Sequence, residues 1–318
     1  MSSMRLIHEK IIHILVTITI VLFLFNYNVL SQSLDIPSRN WGISFGNSTE
    51  FSGFRINYRD HNVEKIRGIN ITLWDSYDNE LAEVTGISLG IMPQAGYLKG
   101  LQLGIAGIAA ERELSGVSLG LLGGGSGGDI NGIGFGGLGF GSGGSMSGLF
   151  IGGLGVGCGK DISGIMIGGL GAGAGGSMSG FSLGILGVGA GHNVSGITIG
   201  GLGAGAGEKI SGITIGGLGA GAPAIRGLTI AGLGVGGTDI KGVSLALGSI
   251  RIEDESGEGS YSGLAASAFN YIKGEQTGVS LGIVNYAYQL NGFQIGLINY
   301  VRDNPDFLKI LPLINFNF

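Results

Sequence analysis

One spacing constrains this chain more than any other feature, because a glycine returns every sixteen residues over much of its length. Beyond Gly212 the step shortens to fifteen, and looser copies extend outward to Gly53 and to Gly292. A fixed period means that each copy is one structural unit stacked on its neighbours, so the period decides the architecture. The regular anchor glycines are Gly100, Gly116, Gly132, Gly148, Gly164, Gly180, Gly196, Gly212, Gly227 and Gly242.

Each copy has the same internal pattern when the anchor glycine is numbered zero. Positions one and three are large and apolar with Thr or Ser often between them, as in Ile197-Thr198-Ile199. This alternation is typical of a half-buried strand. Position six is usually leucine, position fourteen is again apolar, and glycine usually fills positions four and five. Because the alternation changes parity at this glycine pair, we expect a bend between two short strands.

Charged residues indicate which part of each copy is exposed to solvent. Between Gly116 and Ile250 every charge falls at positions twelve to fourteen. Each copy is therefore predicted to contain a strand, a Gly-Gly bend, a second Gly/Ala-rich strand and a polar turn. The charged residues of this stretch are Asp129, Lys160, Asp161, Glu208, Lys209, Arg226, Asp239 and Lys241.

Two all-β architectures use such a unit. The first is a single β-solenoid of about 16-residue coils, stacked so that Ile lies over Ile and Leu over Leu, with ten to fourteen coils in a rod of about 50–70 Å. The alternative is an up-and-down outer-membrane β-barrel, because the chain ends in Phe318 and so resembles the terminal aromatic strand of such barrels. The solenoid is favoured for three reasons. The central copies have few aromatic residues for membrane girdles, their turns are all alike, and their glycines leave one face of the strand without side chains.

Composition excludes several other classes. The chain has 69 glycines but only 5 prolines and no every-third-residue rule, which excludes collagen. With 44% hydrophobic residues and a net charge of −5 it can bury apolar surface, unlike a disordered chain. This charge balance offers no basic surface, so nucleic acid is not a predicted partner.

The chain divides into segments by composition. Residues 1–31 are predicted to be a signal peptide, since Arg5 and Lys10 precede an uncharged apolar stretch and cleavage after Ser31 leaves Gln32 first. An uncleaved membrane anchor is the alternative for this segment. We then predict an N-terminal cap at 32–52 and the glycine-rich array at 53–249. An irregular acidic loop with an atypical repeat follows at 250–277, and terminal repeats with a C-terminal cap occupy 278–318.

Residues that could carry chemistry are few. Cys158 is the only cysteine, which excludes an internal disulfide, and it stands where other copies have alanine, so we interpret it as a small buried side chain. His8 and His13 lie in the leader, and His192 falls in a polar turn, leaving His61 without a partner at catalytic or metal-ligand spacing.

Three further patterns are interpreted structurally. The glycine strings resemble nucleotide-binding loops, but no helical segment follows them. The threonines at position two form too irregular a row for an ice-binding surface. A clustered acidic segment is read as a solvated loop rather than a cation site; its acids are Glu253, Asp254, Glu255 and Glu258. No catalytic, cofactor-binding or metal-binding residue and no cofactor is predicted, and the chain is not expected to be an enzyme.

The C-terminal repeats resemble a bacterial surface-repeat family whose copies follow the pattern glycine, hydrophobic, Gln, Ile or Leu, Gly, Leu, Ile or Val, Asn. The segment from Gly292 to Asn299 matches it fully, and Gly278 to Asn285 matches except for Ser280 in place of Gln and Ile283 in place of Leu. The central copies look like a glycine-rich relative with Thr or Ser for Gln and Gly for Asn. The resemblance implies an exported, cell-surface or outer-membrane-associated protein of a Gram-negative, Bacteroidota-like bacterium, and it supplies no catalytic residues.

These observations lead to one functional prediction and one alternative. The prediction is an exported, non-enzymatic repeat scaffold that presents a regular β-surface for interaction or adhesion at the cell surface or outer membrane. Its partners are expected to be an unidentified surface ligand or envelope component, the membrane, or further copies joined end to end. The alternative is the outer-membrane barrel, acting as a pore or an anchor.

Overall fold

The chain forms a parallel β-solenoid of about 14 turns with roughly 16-residue coils, in a computed structural model that describes residues 33–254 and 257–317. The predicted signal peptide at 1–31, Glu255 and Phe318 lie outside the described residues. At the strand spacing of about 4.8 Å, fourteen turns span about 65–70 Å.

The first part of the array consists of β1 (Ser33–Ser38), β2 (Trp41–Gly46), β3 (Glu50–Asn57), β4 (Lys65–Thr72), β5 (Glu83–Gly90), β6 (Gln94–Gly104), β7 (Gly107–Gly120), β8 (Gly123–Ser126), β9 (Asp129–Gly136), β10 (Gly139–Ser142), β11 (Met146–Gly152), β12 (Gly155–Cys158), β13 (Ile162–Gly168) and β14 (Gly171–Ala174). The second part consists of β15 (Met178–Gly184), β16 (Gly187–Ala190), β17 (Asn193–Gly200), β18 (Gly203–Ala206), β19 (Lys209–Gly216), β20 (Gly219–Gly221), β21 (Ala224–Ala231), β22 (Gly234–Gly237), β23 (Asp239–Ala246), β24 (Ser249–Ile252), β25 (Gly259–Ala266), β26 (Phe269–Leu281), β27 (Val284–Val301), a 3-10 helix (Asp306–Leu308) and β28 (Ile310–Asn317).

Strand register follows the sequence period. In the centre, β17 pairs in parallel with β19, which places Gly196 on Gly212, Ile197 on Ile213 and Ile199 on Ile215. The short strands stack in the same way, as β16 does on β18. The predicted row-on-row stacking is confirmed, and the solenoid is the one of the two predicted architectures that the chain adopts.

Each central coil contains one long and one short strand, joined by a bend at positions five and six. In one coil β17 covers positions −3 to four, and β18 covers positions seven to ten after the bend at Gly201 and Leu202. The polar turn then returns the chain to the next coil. The predicted order of strand, bend, second strand and polar turn is therefore observed, with the bend at positions five and six rather than at the glycine pair of positions four and five.

The anchor glycine allows the long strand to turn. Every anchor has a positive φ, which is +101° at Gly196, and the residue is exposed although both flanking even positions point inward. A β-carbon at Gly196 would lie 2.2 Å from the carbonyl oxygen of Gly180 in the coil before it. The conformation and the tight stacking both require glycine here.

The core is lined by positions fourteen, two and eight, which reverses the usual sense of the alternation. Thr198, between two isoleucines, is 1% exposed, whereas Ile197 is 43% exposed. Position fourteen supplies the larger buried side chains, such as Val194 and Ile210. A coil of sixteen residues encloses a thin interior, so at position two small Thr and Ser side chains often face inward, while the large aliphatic side chains of positions one and three face outward.

Size compensation keeps this thin interior filled. Phe140 projects inward at position eight where Gly134 occupies position two of the same coil, and its ring stacks on Phe150 with centroids 5.8 Å apart. A β-carbon on Gly134 or on Gly124 would overlap the Phe140 ring, at 2.6 Å and 2.4 Å. The large Phe140 ring therefore fits into the core because glycine occupies the two positions next to it, which maintains close packing.

Antiparallel strands cover both ends of the stack. At the first end β1 folds back on β2, and at the last end β28 pairs antiparallel with β27. Such pairing protects coil edges that would otherwise invite another strand. Between Gly242 and Gly263 the chain inserts extra residues without losing register, because these two glycines still pair.

Candidate functional site

An apolar flank runs along the solenoid, formed by the outward side chains at positions one, three and six and by those at position five where that residue is not glycine. We call the residues at one position in successive coils a row, so that row one contains every residue at position one. Rows one and three are apolar in every copy, from Ile43 and Phe45 in β2 to Phe293 and Ile295 in β27. Many of these side chains are about half exposed, among them Ile133, Ile165, Ile197 and Ile213. The flank is therefore continuous along the solenoid and carries no charge in rows one and three.

Row six forms the corner of the flank. Its central leucines are about half exposed, with Leu202 at 51% and Leu218 at 49%. The backbone at this corner is nevertheless paired, since successive row-six amides from Leu138 to Leu233 donate to the row-six carbonyl one coil earlier at 2.5–2.8 Å. The corner thus exposes aliphatic side chains while its row-six amides and carbonyls are hydrogen-bonded.

A groove of about 920 Å³ runs along the flank in the first third of the array. It lies between rows three and five and above position four, for example between Leu103 and Ile105 over Gly104. Its lining is aliphatic apart from Phe135, and it extends over five coils, about 20 Å.

The opposite edge of each coil is polar. Ion pairs link neighbouring coils there, including Lys65 to Glu83 at 2.9 Å and Lys99 to Glu113 at 3.9 Å. Asp239 accepts hydrogen bonds from Ser260 and Arg226. Although partial burial alone would raise the pKa of Asp239, these hydrogen bonds and the Arg226 charge hold that pKa below its ordinary value.

The Gln and Asn residues of the terminal motif face the interior. Asn285 accepts from Asn270 and donates to Asn299, both at 2.7 Å, in a buried ladder across three coils. Gln294 is fully buried and donates to Gln276 at 2.9 Å. The Gln and Asn side chains of the motif therefore hold neighbouring coils together and are not presented to a ligand at the surface.

A buried ion pair fills the interior near the first end. Arg55 donates to Asp60 at 2.6 Å and to Asn70 at 2.7 Å, and Thr72 donates to the other oxygen of Asp60 at 2.7 Å. Arg55 and Asp60 have side chains only 0% and 3% exposed. The sequence pattern did not predict this cluster, although Arg55 occupies the inward position two.

Tyrosines stack on the outside near the last end. The ring of Tyr286 lies 4.8 Å from Tyr271 and 5.1 Å from Tyr300, and the Arg302 guanidinium lies 3.5 Å from the centre of Tyr288. Burial within this stack and the neighbouring tyrosines raise the pKa of Tyr286. The stack continues the outward row of the short strands.

The residues considered from the sequence are dispersed. Cys158 pairs with Ala174, as predicted, and packs half-buried against the core, where burial raises the pKa of its thiol. His61 stacks on Tyr77 with ring centroids 4.2 Å apart and lies far along the chain from His192. The position-two threonines are buried, so that row is closed to an ice surface.

Sequence reasoning missed the apolar flank, although its signal was present. Rows one and three never contain a charge, while the residue between them is often a small hydroxyl side chain. In a coil too thin for two facing large rows, this combination indicates that the large side chains lie outside.

Over residues 33–254 and 257–317, no group of three or more His, Cys, Asp or Glu residues is placed to hold a metal ion. Within the same ranges, no helix has the length and apolar character needed to cross a bilayer. No protein-family model, curated protein or solved structure matches the chain.

Proposed function

We propose that this protein is an exported, non-enzymatic repeat scaffold at the cell surface or outer membrane of a Gram-negative bacterium. Its role is to present a regular β-surface for interaction or adhesion. The observation that carries the proposal is the in-register apolar flank, because a continuous exposed apolar surface of this extent is typical of an interaction site.

The repeat architecture suits such a role. Each coil contacts its neighbours through backbone pairing and identical rows, so the array extends one surface over its whole length. The exposed rows offer aliphatic contact area rather than nucleophiles or bases. This supports a binding scaffold in preference to a catalyst.

The export part of the proposal is supported by the sequence of residues 1–31. A positive start followed by fifteen uncharged residues, Ile11 to Phe25, is typical of a secretory signal. The resemblance of Gly292 to Asn299 to surface-repeat proteins supports the same location.

Surface labelling of intact cells tests the proposal. Lys160 and Lys209 lie exposed on the polar edge and should react with a membrane-impermeant amine reagent on whole cells expressing the chain. Peptide mass spectrometry then identifies the labelled lysines and shows whether Gln32 begins the mature protein. A cytosolic protein labelled only after lysis is the control, and the same behaviour from this chain would rule out surface exposure.

A further inference from the structure

The apolar flank points to a specific partner. Rows one, three, five and six cover on the order of 1,000 Å², taking about 4.8 Å per coil and about 3.3 Å per residue. The largest apolar patch on an ordinary monomer is about 300–600 Å². Exposure of an apolar surface of this size to water is unfavourable, so we expect another molecule to cover it.

The distribution of charge limits what that occupant is. In the central copies the charged residues lie on the polar edge, and outward positions one to ten carry none. Lys160 and Glu208 mark this edge, and Ile165 and Ile213 mark the flank. A body with one charged edge and an uncharged remainder matches an interface between water and hydrocarbon.

The row-six amides and carbonyls at the corner of the flank are hydrogen-bonded, as an apolar environment requires. An unpaired peptide group costs several kcal/mol in a bilayer core, which usually excludes bends from it. Here the row-six amides at the bend donate to the coil before, as Leu170 does to Leu154 at 2.6 Å and Leu202 to Leu186 at 2.8 Å. The corner can therefore enter an apolar phase without leaving these groups unbonded.

The shape of the flank favours a fluid partner over a second copy. Rows one and three lie on the long strands, whereas row six lies past the bend, so the flank turns a corner. A second rigid solenoid would cover only one side of it. Acyl chains adapt to both sides and also fill the groove between Leu103 and Ile105, which has no charged lining residue.

From these observations we infer that the apolar flank docks on a lipid bilayer, with the coil axis parallel to the membrane plane, acyl chains against rows one, three, five and six, and the charged edge in water. This inference rests on the proposed surface location and names the partner of that surface. Because rows one, three and five carry no charge and row six carries only Arg59, binding is expected to depend little on headgroup charge and on salt.

Vesicle flotation tests the inference. The processed chain, recovered from the exported fraction, is mixed with phosphatidylcholine vesicles or with vesicles of phosphatidylethanolamine and phosphatidylglycerol, at low salt and in 1 M NaCl. We expect it to float with both vesicle types at both salt concentrations. Protein that remains at the bottom of the gradient overturns the inference. A dimer that forms without detergent, seen as a doubled mass in light scattering, and does not bind vesicles also overturns it.

Matched lysine variants locate the contact. The flank variant Ile133→Lys, Ile165→Lys and Ile197→Lys places three charges in row one on alternate coils. It should bind vesicles at least about tenfold more weakly, because each lysine removes apolar burial and introduces a charge. The control variant, with lysine at three serines of the neighbouring outward row, should float like the wild type; these serines are Ser147, Ser179 and Ser211. Equal flotation of the flank variant and the wild type would place binding elsewhere on the processed chain and overturn the inference.

A tryptophan already on the flank gives a readout that does not depend on the lysine variants folding. Trp74 lies in row six and is 48% exposed, and Trp41 is the only other tryptophan. In a Trp41→Phe variant, the emission of Trp74 should shift to shorter wavelength on vesicles and be quenched by lipids with brominated acyl chains. An unshifted, unquenched emission would refute acyl-chain contact. Surface labelling of cells is scored separately, so failure of the lipid inference and failure of the proposed location are distinguishable.

Discussion

Replacing one anchor glycine by alanine should destabilise the solenoid far more than the same replacement in the short strand of the same coil. Gly196 has φ +101°, and an added β-carbon would lie 2.2 Å from the Gly180 carbonyl oxygen. Gly205 lies nine residues further, at an outward position of β18, where the nearest atom to a β-carbon is the Gly221 oxygen at 3.7 Å. The two sites have the same chemistry and opposite steric demands.

The magnitudes follow from this geometry. At Gly196 the alanine adopts a disfavoured backbone conformation, which costs about 1–3 kcal/mol, and the coil before it must also move. A loss of about 3 kcal/mol or more in the free energy of unfolding is therefore expected for Gly196→Ala. At Gly205 the backbone φ is ordinary and space is open, so Gly205→Ala should gain about 0.5–1 kcal/mol by restricting the unfolded chain.

Chemical denaturation followed by far-ultraviolet circular dichroism compares the two variants. Because repeat arrays do not always unfold in one step, hydrogen exchange of amides in β15, β17 and β19 should accompany it, and Gly196→Ala should lower protection there first. Equal midpoints and equal protection for the two variants would refute the claim that the anchor column, rather than glycine content in general, determines the coil.

Three further outcomes are expected. Thr214→Val should raise the free energy of unfolding by about 1 kcal/mol in denaturant titration, because the buried Thr214 hydroxyl has no hydrogen-bond partner in the part of the chain that the structure describes; an unchanged or lower value would contradict this. Asp60→Ala should cost about 3–5 kcal/mol by the same assay, since it leaves Arg55 charged and buried, and pairing it with Arg55→Met should recover much of the loss. Asp239 has a lowered pKa, so its contribution is present above the unfolded pKa of about 3.9 and is lost as pH falls through the folded value. Its carboxylate is partly exposed, so wild type and Asp239→Asn should differ by under about 1 kcal/mol at pH 6 and converge near pH 2 in acid titrations; a constant difference would contradict the linkage.

Much of the fold was predictable from the period alone. A sixteen-residue step with the same residue types at the same positions predicts identical coils in register, and the pairing of Ile197 with Ile213 is confirmed. The confinement of charge to positions twelve to fourteen likewise located the polar edge. The role of Cys158 as an alanine-like residue followed from the same alignment of copies.

The direction in which side chains point was not predictable by the usual rule. Alternation fixes which residues share a face, but it does not say which face is inside. Hydrophobicity would place Ile197 and Ile199 in the core, yet the core holds Thr198. The interior volume decides which face is inside. This volume depends on the distance between the long and short strands of one coil, and it cannot be derived from the sequence of a single repeat.

The polar clusters at the two ends were hidden for another reason. Arg55 and Asn285 break the pattern of the central copies, so a consensus of the repeats treats them as exceptions. Their partners come from neighbouring coils, as Asn70 does for Arg55 at 2.7 Å. Such contacts become visible only when coils are stacked, because the partners are about one period apart in sequence.

The reversed alternation makes stability and surface properties depend on the same rows. Ile197 is 43% exposed, so more than half of its surface is already covered, and its paired neighbours Phe181 and Ile213 in the adjoining coils contribute to that cover. The outward rows therefore help hold the coils together through lateral contacts, while their free side remains open to a partner. A polar substitution in these rows removes both the lateral packing between coils and the contact with the partner. Loss of vesicle binding by the flank variant must therefore be compared with the serine control variant and with the emission of Trp74. If Trp74 enters hydrocarbon while the coil contacts stay intact, the flank serves as both glue and docking surface; if it stays in water, lateral packing alone accounts for the rows.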